Sequence, residues 1–363
     1  MEDNDIRIFA FYLPQFHPFK ENDEWWGKGF TEWTNVAKAL PLYKGHLQPK
    51  IPADLGFYDL RLSETREQQA KLAKTAGVEA FCYYHYWFDG KEIMEKPMKD
   101  MVAAKKPKFP FFVCWANETW YNKMWNKEGS IISKKVLIEQ TYPGTKDNEA
   151  HFYNLLSAFK DERYVRIDGK LAFMIYRPLN FPNVCDFMNE WQILAQKNGL
   201  PSFYFMGQAE NMQDLKKQLK MGFDSVNLVR LRGVVEKPRS LKQKICRAYE
   251  KLLNYPRRYN YKDILEDLVG TEEYDEKINP TIIPNWDHTP RSGKNGWVIH
   301  KSTPNLFRKH VSSVLDVVKN KKNKIVFLKS WNEWGEGNYM EPDQFYGSDY
   351  IHALRDIFDK YKK

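Results

Sequence analysis

The stretch Ile325-Val326-Phe327-Leu328-Lys329-Ser330-Trp331-Asn332-Glu333-Trp334-Gly335-Glu336-Gly337 decides how the chain is read. Four apolar residues form a short buried strand, and the chain then enters a Trp/Gly-rich turn. A strand that ends in such a turn is where α/β enzymes mount polar side chains. Two carboxylates, Glu333 and Glu336, lie three residues apart in the turn. Trp331 and Trp334 flank the first, and glycines flank the second. The competing reading is a surface loop with two solvated glutamates and two packing tryptophans. The rest of the chain has to decide between them.

Upstream, apolar strand-like runs alternate with segments of helical period. Strands are predicted at residues 7–13, 78–87, 109–115, 171–176, 202–207, 225–229, 281–286 and 324–330. Helices are predicted at 60–75, 148–160, 185–197, 211–221, 306–318 and 349–361, with Gly77 closing the first. A long proline- and aromatic-rich loop covers 14–56. This alternation, without repeats or low-complexity linkers, predicts an α/β fold. The expected architecture is a single (β/α)8 TIM-type barrel with long βα loops over residues 1–363, with a basic helical and loop insertion at about 235–275. A doubly wound open sheet would want a glycine-rich phosphate turn, and no G-x-G-x-x-G or P-loop occurs.

The tips of the predicted strands carry polar and aromatic residues: Tyr12, Tyr84, His85, Trp87, Trp115, Asn117, Glu118, Tyr176, Gln208, Asn285, Asp287 and Trp331. In a barrel these tips converge on one face. Amides and carboxylates suit sugar hydroxyls, and ring faces suit the apolar side of a pyranose. Two carboxylates in one apolar site have their pKa values pushed apart, so one keeps its proton while the other ionises. Glu333 and Glu336 are therefore the expected catalytic pair. The tip residues, with Trp33 and Trp334, are the expected substrate contacts.

Composition narrows the alternatives. Hydrophobic content of 42% with 15% aromatic residues provides for a core. The eight histidines are scattered without H-x-x-x-H spacing, so neither metal nor cofactor is expected. Four distant cysteines, and an acidic N-terminus with no apolar stretch, lead to the expectation of a cytoplasmic protein. The net charge of +9 raises the question of nucleic acid. Much of it falls in 237–262, where Arg239, Lys242, Lys244, Arg247, Lys251, Arg257 and Arg258 mix with four tyrosines. A solvated basic face is the reading for that stretch, with no nucleic-acid partner and weak association with an anionic membrane surface as the further option.

These motifs resemble a known family. Residues 11–17 (FYLPQFH), 25–33 (WWGKGFTEW), 115–118 (WANE) and the 331–337 loop are together similar to the WbsX-like group, which is related to glycoside hydrolase family 99. The resemblance spans nearly the whole chain. It implies a metal-independent (β/α)8 barrel related to retaining endo-α-mannosidases, with an E-W-x-E loop matched at Glu333 and Glu336. By that resemblance Glu333 takes the proton of the substrate 2-hydroxyl, giving a 1,2-anhydro sugar, and Glu336 protonates the leaving oxygen. The family 99 loop commonly reads E-W-H-E, so Gly335 is a departure that bears on mannose specificity. The expected function is a retaining glycosidase, endo-acting, on an α-linked, mannose-like polysaccharide or its precursor. The alternatives are a glycosyltransferase of surface polysaccharide biosynthesis and a non-catalytic glycan-binding barrel. Glu118, in an Asn-Glu pair at a strand end, is the rival general acid.

Overall fold

The computed structural model describes residues 5–125, 131–236 and 241–362. Seven barrel strands are β1 (Arg7–Tyr12), β2 (Ala80–Phe88), β3 (Phe111–Trp115), β4 (Lys170–Ile175), β5 (Phe203–Ala209), β6 (Ser225–Leu228) and β8 (Ile325–Leu328). Between β6 and β8 runs β7, in two pieces, Ile278–Asn279 and Thr281–Ile282. Pro280 separates the pieces because it has no N–H to give a ladder. The first piece pairs with β6 (Val226 opposite Ile278) and the second with β8 (Thr281 opposite Phe327), while β8 also pairs with β1. All these pairings are parallel, and the ring is a (β/α)8 barrel as the alternation predicts.

Period-two alternation sorts the strand residues into an inner and an outer set. Phe9 meets Phe112 and Phe327 edge-on at 5.2 and 5.9 Å, and Phe11 stacks on Tyr84 and Phe327 at 5.4 Å, so the barrel interior is largely aromatic. The outer set packs under the helices. Trp191, on helix Val184–Lys197, touches Phe173, Phe187 and Phe203 at 4.6, 4.5 and 5.3 Å and donates its Nε1–H to Asn148 O.

Three expectations are corrected. The predicted seventh strand at 281–286 begins earlier and breaks at Pro280, and Trp286–Asp287 belongs to a separate small sheet. The long loop after β1 contains the helices Lys20–Trp26 and Glu32–Ala37, whose few turns are too short to show a period. A hairpin, Trp120–Trp125 with Ile131–Ile138, follows β3 where no element was expected. Between β6 and β7 lie helices Leu231–Glu236 and Leu241–Leu252 and strand Arg257–Asn260. That strand pairs with Trp297–His300, which in turn pairs with Trp286–Asp287. Cys82 and Cys114 are buried free thiols, and Cys185 and Cys246 are exposed.

Helix Pro304–Val318 braces the end of β7 through His310, whose Nε2 accepts from Ile283 N–H at 3.1 Å. Burial pushes the His310 imidazolium down to about 4 from an ordinary 6.5. Between those values the unfolded chain binds the proton that the folded one refuses, so stability falls as pH drops through that window. The expected loss is about 3 kcal/mol. Urea unfolding of wild type and His310→Gln across pH 7 to 4 should show the variant losing less by about that amount; parallel curves would contradict it.

Candidate active site

The chain leaves β8 at Leu328, and Lys329 follows at once, buried in the barrel mouth. Its Nζ donates to Tyr84 OH at 3.1 Å and lies 5.2 and 5.5 Å from the ring centres of Phe11 and Tyr176. Burial alone would pull this ammonium down. Tyr176, Glu333 and Glu336 more than offset that, and the lysine is held firmly charged. Glu333 is buried and pairs across a short antiparallel ribbon with Asn338. Its carboxylate accepts from Ser330 Oγ at 2.7 Å and Asn338 Nδ2 at 3.1 Å. Burial first, and the charge of Glu336 second, push the Glu333 carboxyl above its ordinary value against the pull of Lys329 and Arg291.

Glu336 lies at the more open edge. Arg291 Nη1 donates to it, and His288 Nε2 stands 3.7 Å from its Oε1. The same guanidinium donates Nε and Nη2 to Glu32 at 2.9 and 3.0 Å. Burial would raise the Glu32 carboxyl, but Arg291 holds it below the ordinary range. This clamp accounts for Gly335. A Cβ there would lie 2.0 Å from Glu32 Oε1, so the space a side chain would need is filled by the Glu32 carboxylate.

Of the expected contacts, Tyr84 and Tyr176 stand with Lys329 beside the pair, joined by Tyr86, whose hydroxyl feels Glu333 and is raised mainly by burial. Glu118 and Gln208 line an adjoining cavity of about 550 Å³ with Arg177, Glu210 and Asn211. Arg177 links Glu118 and Glu210 at 3.0 and 2.9 Å and packs over Tyr176 at 4.7 Å, which joins the cavity to the Lys329 cluster. Gln208 Oε1 is buried there with no hydrogen-bond partner among the described residues.

Several expected contacts turn elsewhere, because alternate residues of a strand tip face opposite ways. Tyr12 points outward and donates to Gln69 Oε1 at 2.6 Å, on helix Ser63–Ala76. His85, Trp87 and Trp115 face helix Thr145–Phe159. His85 Nε2 lies 2.8 Å from His151 Nε2, while Trp87 and Trp115 pack on the His151 ring. Asn117 uses its amide on Tyr142 OH and on the backbone of Arg177. Asn285 accepts from the next N–H, that of Trp286. Asp287 is saturated by His46, Gln48 and Thr289; burial would raise its carboxyl, but His46, Lys50 and Thr289 bring it down to about 2. Trp33, Trp331 and Trp334 are buried packing residues. Trp334 stacks on Tyr339 at 3.7 Å and donates to Glu341. Glu32, Arg291, His288, Lys329 and Glu341 were not among the expected site residues. Lys329 carried a local signal, as a lysine placed directly after four apolar strand residues, and Glu32 lies within the 25–33 motif. Among the described residues, no cluster of His, Cys, Asp or Glu is placed to hold a metal ion.

A (β/α)8 barrel with paired glutamates after its last strand is the class that fold and site define. The barrel is shared with the family 99 endo-α-mannosidase of Bacteroides thetaiotaomicron, at TM-score 0.57 and 14% identity over 99% of this chain and 98% of that one. It is shared too with a glycoside hydrolase-like protein, at TM-score 0.59 and 16% identity over 98% and 94%. The description Glycosyltransferase WbsX matches residues 8–354, and the chain belongs to that WbsX family. It is 34% identical over 358 residues to the uncharacterized protein WxcX of Xanthomonas campestris pv. campestris (strain B100), covering 96% of this chain and 49% of that protein. The same figures hold for WxcX of strain ATCC 33913, so the chain spans about half the length of the curated relatives it matches.

The Gly335 contact gives a direct test. Gly335→Ala should lower stability by about 1–3 kcal/mol, since Glu32 must move off Arg291. In a double-mutant cycle with Glu32→Ala the two losses should be less than additive, by about 0.5–3 kcal/mol. Strict additivity in chemical denaturation would show that the two groups do not meet.

Proposed function

We propose that the protein is a glycan-processing enzyme that cleaves an α-linked, mannose-like glycan with retention, Glu333 and Glu336 being its reactive pair. The observation that supports this reading best is the unequal setting of the two carboxylates between buried Lys329 and half-buried Arg291. Glu333 is desolvated, repelled by its neighbour and raised, which makes it a stronger base than an ordinary carboxylate, suited to taking a proton from a sugar hydroxyl. Glu336, more open and flanked by Arg291 and His288, is suited to meeting the departing oxygen and then a water. These roles follow those of family 99, where the 2-hydroxyl attacks the anomeric carbon. Lys329 and Arg291 would balance the charge that accumulates as the proton moves. The rings of Tyr84, Tyr86 and Tyr176 offer apolar faces, and the cavity with Gln208 and Glu118 offers hydroxyl partners for a neighbouring sugar unit. This chemistry calls for a separation of the two carboxyls near the ~5–5.5 Å of retaining enzymes.

A second reading, transfer of a sugar onto a growing polysaccharide, is favoured by the description of the family itself. Glu118, held by Arg177, remains the rival acid.

The experiment is turnover of a panel of α-linked oligosaccharides by wild type, Glu333→Gln, Glu336→Gln and Glu118→Gln. Glu333→Gln should lose about 10²–10⁴-fold in rate while binding is kept, and a substrate lacking the 2-hydroxyl should bind without reacting. Glu336→Gln should recover with an activated leaving group; recovery in Glu118→Gln instead would reassign the acid. Wild type that releases no reducing ends yet extends a chain from a nucleotide sugar would overturn hydrolysis.

A further inference from the structure

Residues 237–262 contain nine lysines and arginines and one acidic residue, Glu250. Glu250 is buried and spent on two of the arginines: Arg247 Nη1 donates to it at 2.8 Å and Arg258 Nε at 3.0 Å. Those arginines lie over Tyr259 and Tyr43, at 4.8 Å each, so this side of helix Leu241–Leu252 is its anchor to the body of the protein. The other side is unusual. Ile245, Tyr249 and Leu252 are 63, 57 and 81% exposed. Spaced i, i+4 and i+7, they form one stripe along the helix. Lys244 and Lys251 are also exposed, and at 100° per residue both fall on the flank of that stripe.

We infer that this helix is an interfacial element that lies in the plane of an anionic membrane surface. An apolar stripe bordered by lysines is the arrangement that sinks into the headgroup boundary while its cations meet lipid phosphates. The charge favours lipid over a protein partner of mixed surface: the helix's single carboxylate, Glu250, is buried, and its exposed charges among the described residues, Lys244 and Lys251, are both basic. At about 1.5 Å per residue the helix is far too short to span a bilayer, so it can only lie along one. No helix among the described residues is long and apolar enough to cross a membrane. The inference is independent of the chemistry proposed for Glu333 and Glu336. The strand after the helix, Arg257–Asn260, pairs with Trp297–His300 and through it with Trp286–Asp287, so the docking helix is tied by one small sheet to the loop that carries His288 and Arg291.

The test uses the full chain with vesicles of phosphatidylcholine alone or mixed with phosphatidylglycerol, read by co-sedimentation at low and high salt. Wild type should partition onto the anionic vesicles only, and high salt should weaken the partition. Two variants change exposed residues alone: Ile245→Ser/Tyr249→Ser/Leu252→Ser removes the stripe and Lys244→Glu/Lys251→Glu reverses its border. Each should lose at least about tenfold in partition while its circular dichroism and melting temperature stay those of wild type. No partition by wild type, or equal partition by both variants, would overturn the inference. So would a wild-type dimer in analytical ultracentrifugation that the serine variant dissolves, because the stripe would then be covered by a second copy of the chain.

Discussion

Arg291 holds the site together. It stands on the turn Thr289–Ser292 in the loop after β7, and it grips Glu32 from the loop after β1 and Glu336 from the loop after β8. The Arg291 side chain is 24% exposed, so losing one partner costs less than the about 3–5 kcal/mol of a fully buried ion pair, but its two grips couple the three loops. Two further ties reinforce the arrangement. Asp287 takes His46 and Gln48 from the loop after β1, and Gly337 packs so closely on it that a Cβ would lie 2.7 Å from the Asp287 Cβ. Glu341 accepts from Tyr58, Gln69 and Trp334, fixing the far end of the glutamate loop to the same β1 loop and to helix Ser63–Ala76.

Three buried carboxylates within this small region behave differently because their partners differ. Asp287 meets a histidine, with a lysine nearby, and falls to about 2 in spite of burial. Glu341 meets only neutral donors, and burial outweighs them and raises it to about 7. Glu333 is desolvated and faces a like charge in Glu336, and it is raised although two cations stand near. Identical chemistry at the side chain thus serves as a structural anion, a buried brace and, in the proposed reaction, a base. What separates them is the company each keeps, not depth alone.

The barrel was legible because strand and helix periods differ and because helices of about four turns show theirs clearly; the C-terminal helix Asp349–Tyr361 matches the predicted 349–361. The short helices of the β1 loop and the break at Pro280 were not, since neither gives a periodic signal over enough residues. At the site, the glutamate loop stood out in the local sequence, but it took the strand tips and the family resemblance to read it as more than a surface loop. The strand tips were read too generously. On β2, Cys82, Tyr84 and Tyr86 share the inner face, whereas His85 and Trp87 share the outer one, and applying the two-residue period to that tip would have exchanged His85 and Trp87 for Tyr86. Glu32 and Arg291 lie 259 positions apart, and no local pattern announces their pairing. His288 likewise reaches Glu336 from another loop, at 3.7 Å, a contact no local pattern announces.

The interaction between Glu333 and Glu336 is tested most directly by carbon-13 NMR titration of the glutamate side-chain carboxyls in the unliganded protein, with Glu333→Gln used to assign the signal. The Glu333 carboxyl should titrate above its ordinary value of 4.5 in wild type, and its midpoint should move down in Glu336→Gln, where the like charge is gone and Arg291 is left free to favour the ionised form. A Glu333 midpoint at or below 4.5, or one that does not move when Glu336 is neutralised, would show that the two carboxylates do not share a site.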